Sequence, residues 1–144
     1  MPILNYTTKV DVFTTIAAIQ SQLVKHGARK ILQEYDEECR VIAVSFVIDT
    51  PVGFKAIRLP SNVPAVQAVL QRQKVKADYA QAERVAWRIV KDWVEAQMAI
   101  LEAEMVTMDE IFLPYMLDDS GTKTLYEAYR EKQLFIGDGG TTHG

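Results

Sequence analysis

VIAVSFVIDTPVGFKAIRL, from Val41 to Leu59, decides the fold. Its first half alternates. Ile42, Val44, Phe46 and Ile48 fall on one side of an extended chain, and Val41, Ala43, Ser45 and Val47 on the other, because successive strand side chains point to opposite faces. The second set is smaller but still largely apolar, so the segment reads as a central strand with both faces at least partly covered. TPVG at Thr50 to Gly53 has hairpin chemistry, with proline fixing φ and glycine free to take a positive one, and Phe54 to Leu59 returns as the next strand. Upstream, Ile31, Gln33 and Tyr35 alternate with Leu32 and Glu34 as far as a turn at Asp36 to Glu38. The expectation is an α+β chain built on a three-stranded antiparallel meander, to which the β-branched and aromatic start of the chain adds either an edge strand or an ordered arm.

Helices flank this sheet on both sides in sequence. Asp11 can cap a first helix over Val12 to His26, whose apolar residues Val12, Phe13, Ile16, Ile19 and Leu23 recur at helical spacing and which Gly27 ends. Beyond Leu59 the chain reads as wholly helical. Ser61 or Asn62 caps a short helix with Pro64 in its first turn. Asp78 with Gln81, Thr107 with Glu110 and Thr124 with Glu127 stand three apart, as in a capping box or a close variant. They place helix starts at Tyr79, Met108 and Leu125, with Pro114 limiting the second. Residues 1–136 read as one domain, and the Gly-rich residues 137–144 as a flexible tail.

The helix from Tyr79 to Met105 would be about 40 Å long. Its two neighbouring apolar stripes make a face wider than short strands can cover, so it either packs on other helices or also buries against a second copy. Trp87, Val90, Trp93, Val94 and Leu101 are the candidate oligomer interface.

Charge is distributed unevenly. From Thr50 to Lys91 there are eight bases and two acids, whereas from Asp92 to Asp119 there are eight acids and no base. On the long helix this order opposes the macrodipole, which favours acids first and bases last. Local pairs such as Arg88 with Asp92 and Lys91 with Glu95 recover part of the cost. Either these are solvated faces neutralised by the acidic C-terminal helices, or the basic stretch gathers a phosphate-bearing ligand or an acidic partner. In the second case Arg58, Arg72, Lys74, Lys76, Arg84 and Arg88 are the contact residues. Duplex DNA is a poor candidate partner, because the 144-residue chain carries a net charge of −3 and its basic stretch is not expected to interleave surface aromatics for stacking.

Catalytic signatures are missing. The chain has two histidines: His26, which ends the first helix and there suits its dipole, and His143 in the tail. The single cysteine, Cys39, follows three acids, a setting that opposes a nucleophilic role, and with no second cysteine there is no internal disulfide. Zinc spacing, EF-hand spacing and phosphate-binding glycine loops are all absent, so no metal or cofactor is expected. No run of about 18 apolar residues marks a membrane span, and a cytoplasmic setting is expected.

LNYTTKV, KHGA, TPVGFKAIRLP, VAWRIVKDWVEAQMA and IFLPYM together resemble a family of small proteins encoded by bacteriophages, prophages and other bacterial mobile elements, over most of the chain from Ile3 to about Phe135. The resemblance carries over no catalytic residue. It implies an accessory protein acting in the cytoplasm of a bacterial host. The leading expectation is a non-enzymatic, oligomeric binding protein that counters a host defence system, by blocking an effector protein or sequestering a phosphate-bearing nucleotide. Two other classes stay open: an enzyme of nucleotide or nucleic-acid metabolism using carboxylates and Mg²⁺, with Asp109 and Glu110 as its residues, and a phage structural or assembly protein acting through its long helix.

Overall fold

The computed structural model describes residues 2–132. In order these form α1 (Val12–Lys25), β1 (Arg29–Tyr35), β2 (Val41–Thr50), β3 (Gly53–Pro60), α2 (Val63–Arg72), α3 (Tyr79–Glu102), α4 (Met108–Phe112), a 3-10 turn at Leu113–Tyr115, and α5 (Leu125–Lys132). The sheet is an antiparallel meander in the order β1-β2-β3, and the chain is α+β. The tail expected at residues 137–144, with His143, lies outside the described residues.

At the tip of the β2–β3 hairpin Thr50 pairs with Gly53, which takes φ +110°, and the Thr50 hydroxyl donates to the Gly53 carbonyl at 2.7 Å. Two irregularities shape the other strand pair. Arg29 pairs with Val47 and Leu32 with Ser45, so β1 carries one extra residue there, and Lys30 adopts φ +53°. Glu34 pairs with Ala43 and Tyr35 with Val41, so Ile42 is the extra residue on β2. This bulge reverses the alternation. Val41, and not the expected Ile42, joins Val44, Phe46 and Ile48 in the core, and Ile42 is half-buried.

One face of the sheet is covered by helices. Val12, Ile16, Ile19 and Leu23 of α1, Trp87, Val94 and Met98 of α3, and Ile111 and Phe112 of α4 close on Val41, Val44, Phe46, Ile48, Ile57 and Leu59. Phe112 stands edge-on to Phe46 at 5.1 Å and to Trp93 at 5.8 Å, while the Trp87 indole donates to the Val41 carbonyl at 3.4 Å. Burying each such side chain contributes roughly 1.5–3 kcal/mol. A second, smaller cluster joins Val63 and Leu70 of α2 to Ala82 and Ala86 at the start of α3.

The wide face of α3, 24 residues and about 36 Å long, is therefore used inside the chain, against α1, α2 and the sheet. It ends at Glu102, three residues earlier than the apolar pattern suggests, because Glu104 turns to φ +60° and the Met105 amide bonds back to Ile100. The helix starts expected at Tyr79, Met108 and Leu125 are those observed, and Asn62 caps α2. Pro114 falls in the 3-10 turn that follows α4.

Residues 2–10 form an arm and no strand. The Ile3 amide donates to Gln73 at 2.9 Å, the Asn5 side chain to Asp92 at 2.6 Å, and Gln81 donates to the carbonyls of Tyr6 and Thr8. These bonds tie the arm across α2 and α3.

Candidate interaction surface

Opposite the helices, the sheet presents a face that no helix covers among the described residues. Because Ile57 and Leu59 point into the core, Phe54, Ala56 and Arg58 of β3 point outward, beside Ser45 and Val47 of β2 and Leu32 and Glu34 of β1. Leu32 is 61% exposed and Phe54 62%. The Leu117–Thr122 segment rises along one border, held because the Leu117 amide donates to the Ala56 carbonyl at 2.9 Å, and so encloses a hollow of about 430 Å³.

A paired charge stands in this hollow. Arg58 Nε donates to Glu34 Oε1 at 2.9 Å and Nη2 to Oε2 at 3.1 Å, bridging β3 to β1 across the small side chain of Ser45. The hydrogen bond from Arg58 holds the Glu34 carboxyl below its ordinary value, and the same bond raises Arg58. At the other end the Arg29 guanidinium lies 5.8 Å from the centre of the Phe54 ring, within cation–π range. Apolar side chains, an aromatic ring and arginines held by planar partners are what protein contact surfaces are enriched in.

The six basic residues singled out in the sequence do not form one patch. Arg58 belongs to the outer sheet face. Arg84 and Arg88 are half-buried on α3, where Arg84 donates to Gln81 at 3.0 Å and Arg88 faces Asp92 at 3.9 Å. Neighbouring Lys91 meets Glu95 at 2.7 Å, so both local pairs expected along α3 are present. Arg72 at the end of α2 and Lys74 and Lys76 in the link to α3 are exposed and make no ion pair among the described residues.

Of the five residues considered for an oligomer contact, Trp87 and Val94 are fully buried within the chain, and Val90, Trp93 and Leu101 are half-buried against the same core. Buried side chains leave nothing for a second copy to touch. Val90 and Trp93 do border an apolar dent of about 200 Å³ with Leu59, Ile89 and Tyr115.

A cleft of about 170 Å³ that sequence spacing could not reveal lies where the start of α1, the β1–β2 turn and the start of α3 meet. Asp11, Cys39, Arg40, Glu83 and Arg84 border it. Glu83 is half-buried, and burial pushes its carboxyl up in spite of Arg40 and Arg84 nearby. Arg40 is held by Asp36 at 3.2 Å and lies 4.0 Å from the centre of the Tyr79 ring. Asp11 is occupied by the amides of Phe13 and Thr14. The cleft therefore consists of charges already satisfied by the fold, apart from the Glu83 carboxylate, which accepts no hydrogen bond among the described residues.

The acids considered for metal chemistry are used at a helix start. Glu110 accepts from the Thr107 amide at 3.0 Å and Asp109 from the Thr107 hydroxyl at 2.6 Å. Among the described residues no three His, Cys, Asp or Glu side chains are grouped to hold a metal ion, and no helix is long and apolar enough to cross a membrane. His26 is tied across helices, with Nδ1 2.7 Å from the Gln22 carbonyl oxygen and Nε2 2.7 Å from Glu102. No family model, curated protein or solved structure matches the chain.

Proposed function

We propose that this chain is a non-enzymatic binding protein that engages a protein partner through the outer face of its sheet. One observation carries the reading: among the described residues the helices clothe a single face, leaving Val47, Ala56 and the Arg58–Glu34 pair around a bordered hollow and Phe54 exposed on the same face. A pair of this kind supports a protein partner over a phosphate, because Glu34 already answers the charge that would recognise an anion. The resemblance to small proteins of phages and mobile elements makes an effector of a bacterial defence system the partner class to test first, with the chain as its inhibitor in the host cytoplasm.

The test is native mass spectrometry of the tagged protein after incubation with bacterial lysate. The reading expects a protein-sized addition that is lost with Phe54→Ala and with Arg58→Glu and retained with Lys74→Glu. A small phosphate-bearing mass lost with Arg72→Glu or Lys74→Glu would overturn it in favour of nucleotide sequestration in the α2–α3 link. Metal-dependent nucleotide turnover abolished by Asp109→Asn would overturn it in favour of an enzyme, and open-ended assembly in favour of a structural protein.

A further inference from the structure

The two edges of the sheet differ. Beside β3, Met116 and Leu117 add a short bridge, Met116 opposite Ile57 and Leu117 hydrogen-bonded to Ala56. Beside β1 no strand is present among the described residues. An unpaired edge exposes a row of backbone donors and acceptors, which is a template for another strand.

The order of residues in β1 specifies which strand. Reading RKILQEY against itself in antiparallel sense about its central residue places Leu32 opposite Leu32, Ile31 opposite Gln33, Lys30 opposite Glu34 and Arg29 opposite Tyr35. Lys30, at the bulge of β1, still borders the same hollow as Leu32 and Glu34, so the three share the outer face and would meet on it, where Glu34 also accepts from Arg58. Lys30 has no ion pair among the described residues, and Leu32, at the centre of the strand, is largely exposed. Parallel pairing in register would set Lys30 against Lys30 and Glu34 against Glu34. Directly opposed charges stabilise a strand pair when unlike and destabilise it when like.

We infer that two copies of this chain pair through β1, antiparallel about a two-fold axis at Leu32, with Lys30 of each copy facing Glu34 of the other, so that two meanders join into one six-stranded sheet. Such a contact is isologous and closes at two copies. The second copy thus meets β1, while the α3 residues stay in the protomer core. This inference shares Glu34 and the border of the hollow with the partner-binding reading, but it rests on the strand edge and its readout is mass, so the two can fail separately.

Sedimentation equilibrium over a concentration series tests it, using the full chain, Lys30→Glu, and Lys30→Glu combined with Glu34→Lys. Expected are a mass rising to twice the 16.3 kDa of one chain, dimerisation weakened at least about ten-fold by Lys30→Glu, as a like-charge cross-strand pair requires, and recovery in the double exchange. Since the double exchange also breaks the Arg58 pair, a second measurement stands beside it. Opposed strand residues have Cα atoms about 4.5–5.5 Å apart, within disulfide reach. Leu32→Cys in a Cys39→Ser background should therefore form a covalent dimer on mild oxidation, and Val24→Cys in the same background should not. A single-chain mass at every concentration with no cross-linking through position 32, or a dimer indifferent to Lys30→Glu, would overturn the inference.

Discussion

Arg58 Nε lies 2.9 Å from Glu34 Oε1, joining the outermost strands of the sheet over a central strand that contributes only Ser45 at that level. The side chains are 28% and 40% exposed, so solvent screens the pair and its contribution is about 0.2–1 kcal/mol. Arg58→Ala should therefore lower stability modestly near neutrality. The sign with pH follows from Glu34, whose folded value is held below the ordinary 4.5 by the hydrogen bond from Arg58. Its stabilisation is present above the ordinary value and is lost as pH falls through the lowered one. Urea titrations of both proteins should give midpoints that separate near neutrality and converge in acid.

Glu83 should behave in the opposite sense. Burial raises its folded value above 4.5, so on unfolding it releases its proton more readily. Stability from this group is complete below 4.5 and falls as pH rises through the raised value. Glu83→Gln, which keeps the shape and removes the charge, should be more stable than the parent near neutrality and equal to it in acid. Thermal melts across that range read the difference. A Gln variant less stable at neutral pH would show that Arg40 and Arg84 outweigh the burial.

His26 and Glu102 tie the end of α1 to the end of α3 at 2.7 Å, and the bond from His26 holds the Glu102 carboxyl below its ordinary value. The stabilisation is therefore present above 4.5 and lost as pH falls through the lowered value. Hydrogen exchange of the Val24 to Gly27 amides, the Gly27 amide being bonded to Val24, should quicken in Glu102→Ala relative to the parent at neutral pH. The two proteins should exchange alike once the carboxyl is protonated.

What was legible in the sequence was local. Asp11 and Asp78 cap α1 and α3 as their positions suggest, and Thr124 and Glu127 exchange bonds of 2.8 and 3.2 Å at the start of α5. The meander followed from period-two alternation and its turns. Bulges were not legible, because neither Lys30 nor Ile42 is a residue type that marks one, and one extra residue exchanges the faces of everything beyond it. The fate of the basic stretch was hidden for a different reason. Arg58 finds Glu34 only after two turns of the meander bring β1 and β3 to either side of β2, and Glu83 meets Arg40 only when α3 docks beside the β1–β2 turn.

Helix ends show the same limit and support a sharper expectation. Helices α1, α2 and α3 all end with an amide bonding back five residues: Ala28 to Leu23, Val75 to Leu70 and Met105 to Ile100. The left-handed residue is glycine only in α1; Lys74 and Glu104 take φ +60° in the others. A side chain in that region costs roughly 1–2 kcal/mol, part of which a glycine returns as unfolded-state entropy. Glu104→Gly should therefore stabilise the protein by up to about 1 kcal/mol, seen as a higher urea midpoint with an unchanged slope.

The wide face of α3 makes the last expectation decisive between core and subunit contact. Trp87 is fully buried, and its indole N–H finds the Val41 carbonyl beside the β2 bulge, so the side chain fills space and also occupies a backbone acceptor. Trp87→Ala should cost about 3–5 kcal/mol, the usual range for a large aromatic removed from a core that cannot fully collapse. Trp87→Phe should cost less, since it restores most of the volume and leaves only the carbonyl unanswered. Because the residue is enclosed by α1 and the sheet of its own chain, mass by sedimentation should not respond to Trp87→Phe, whereas an α3-to-α3 contact would weaken with it. Stability falling while mass holds places this face in the protomer; mass falling while stability holds would return it to an interface.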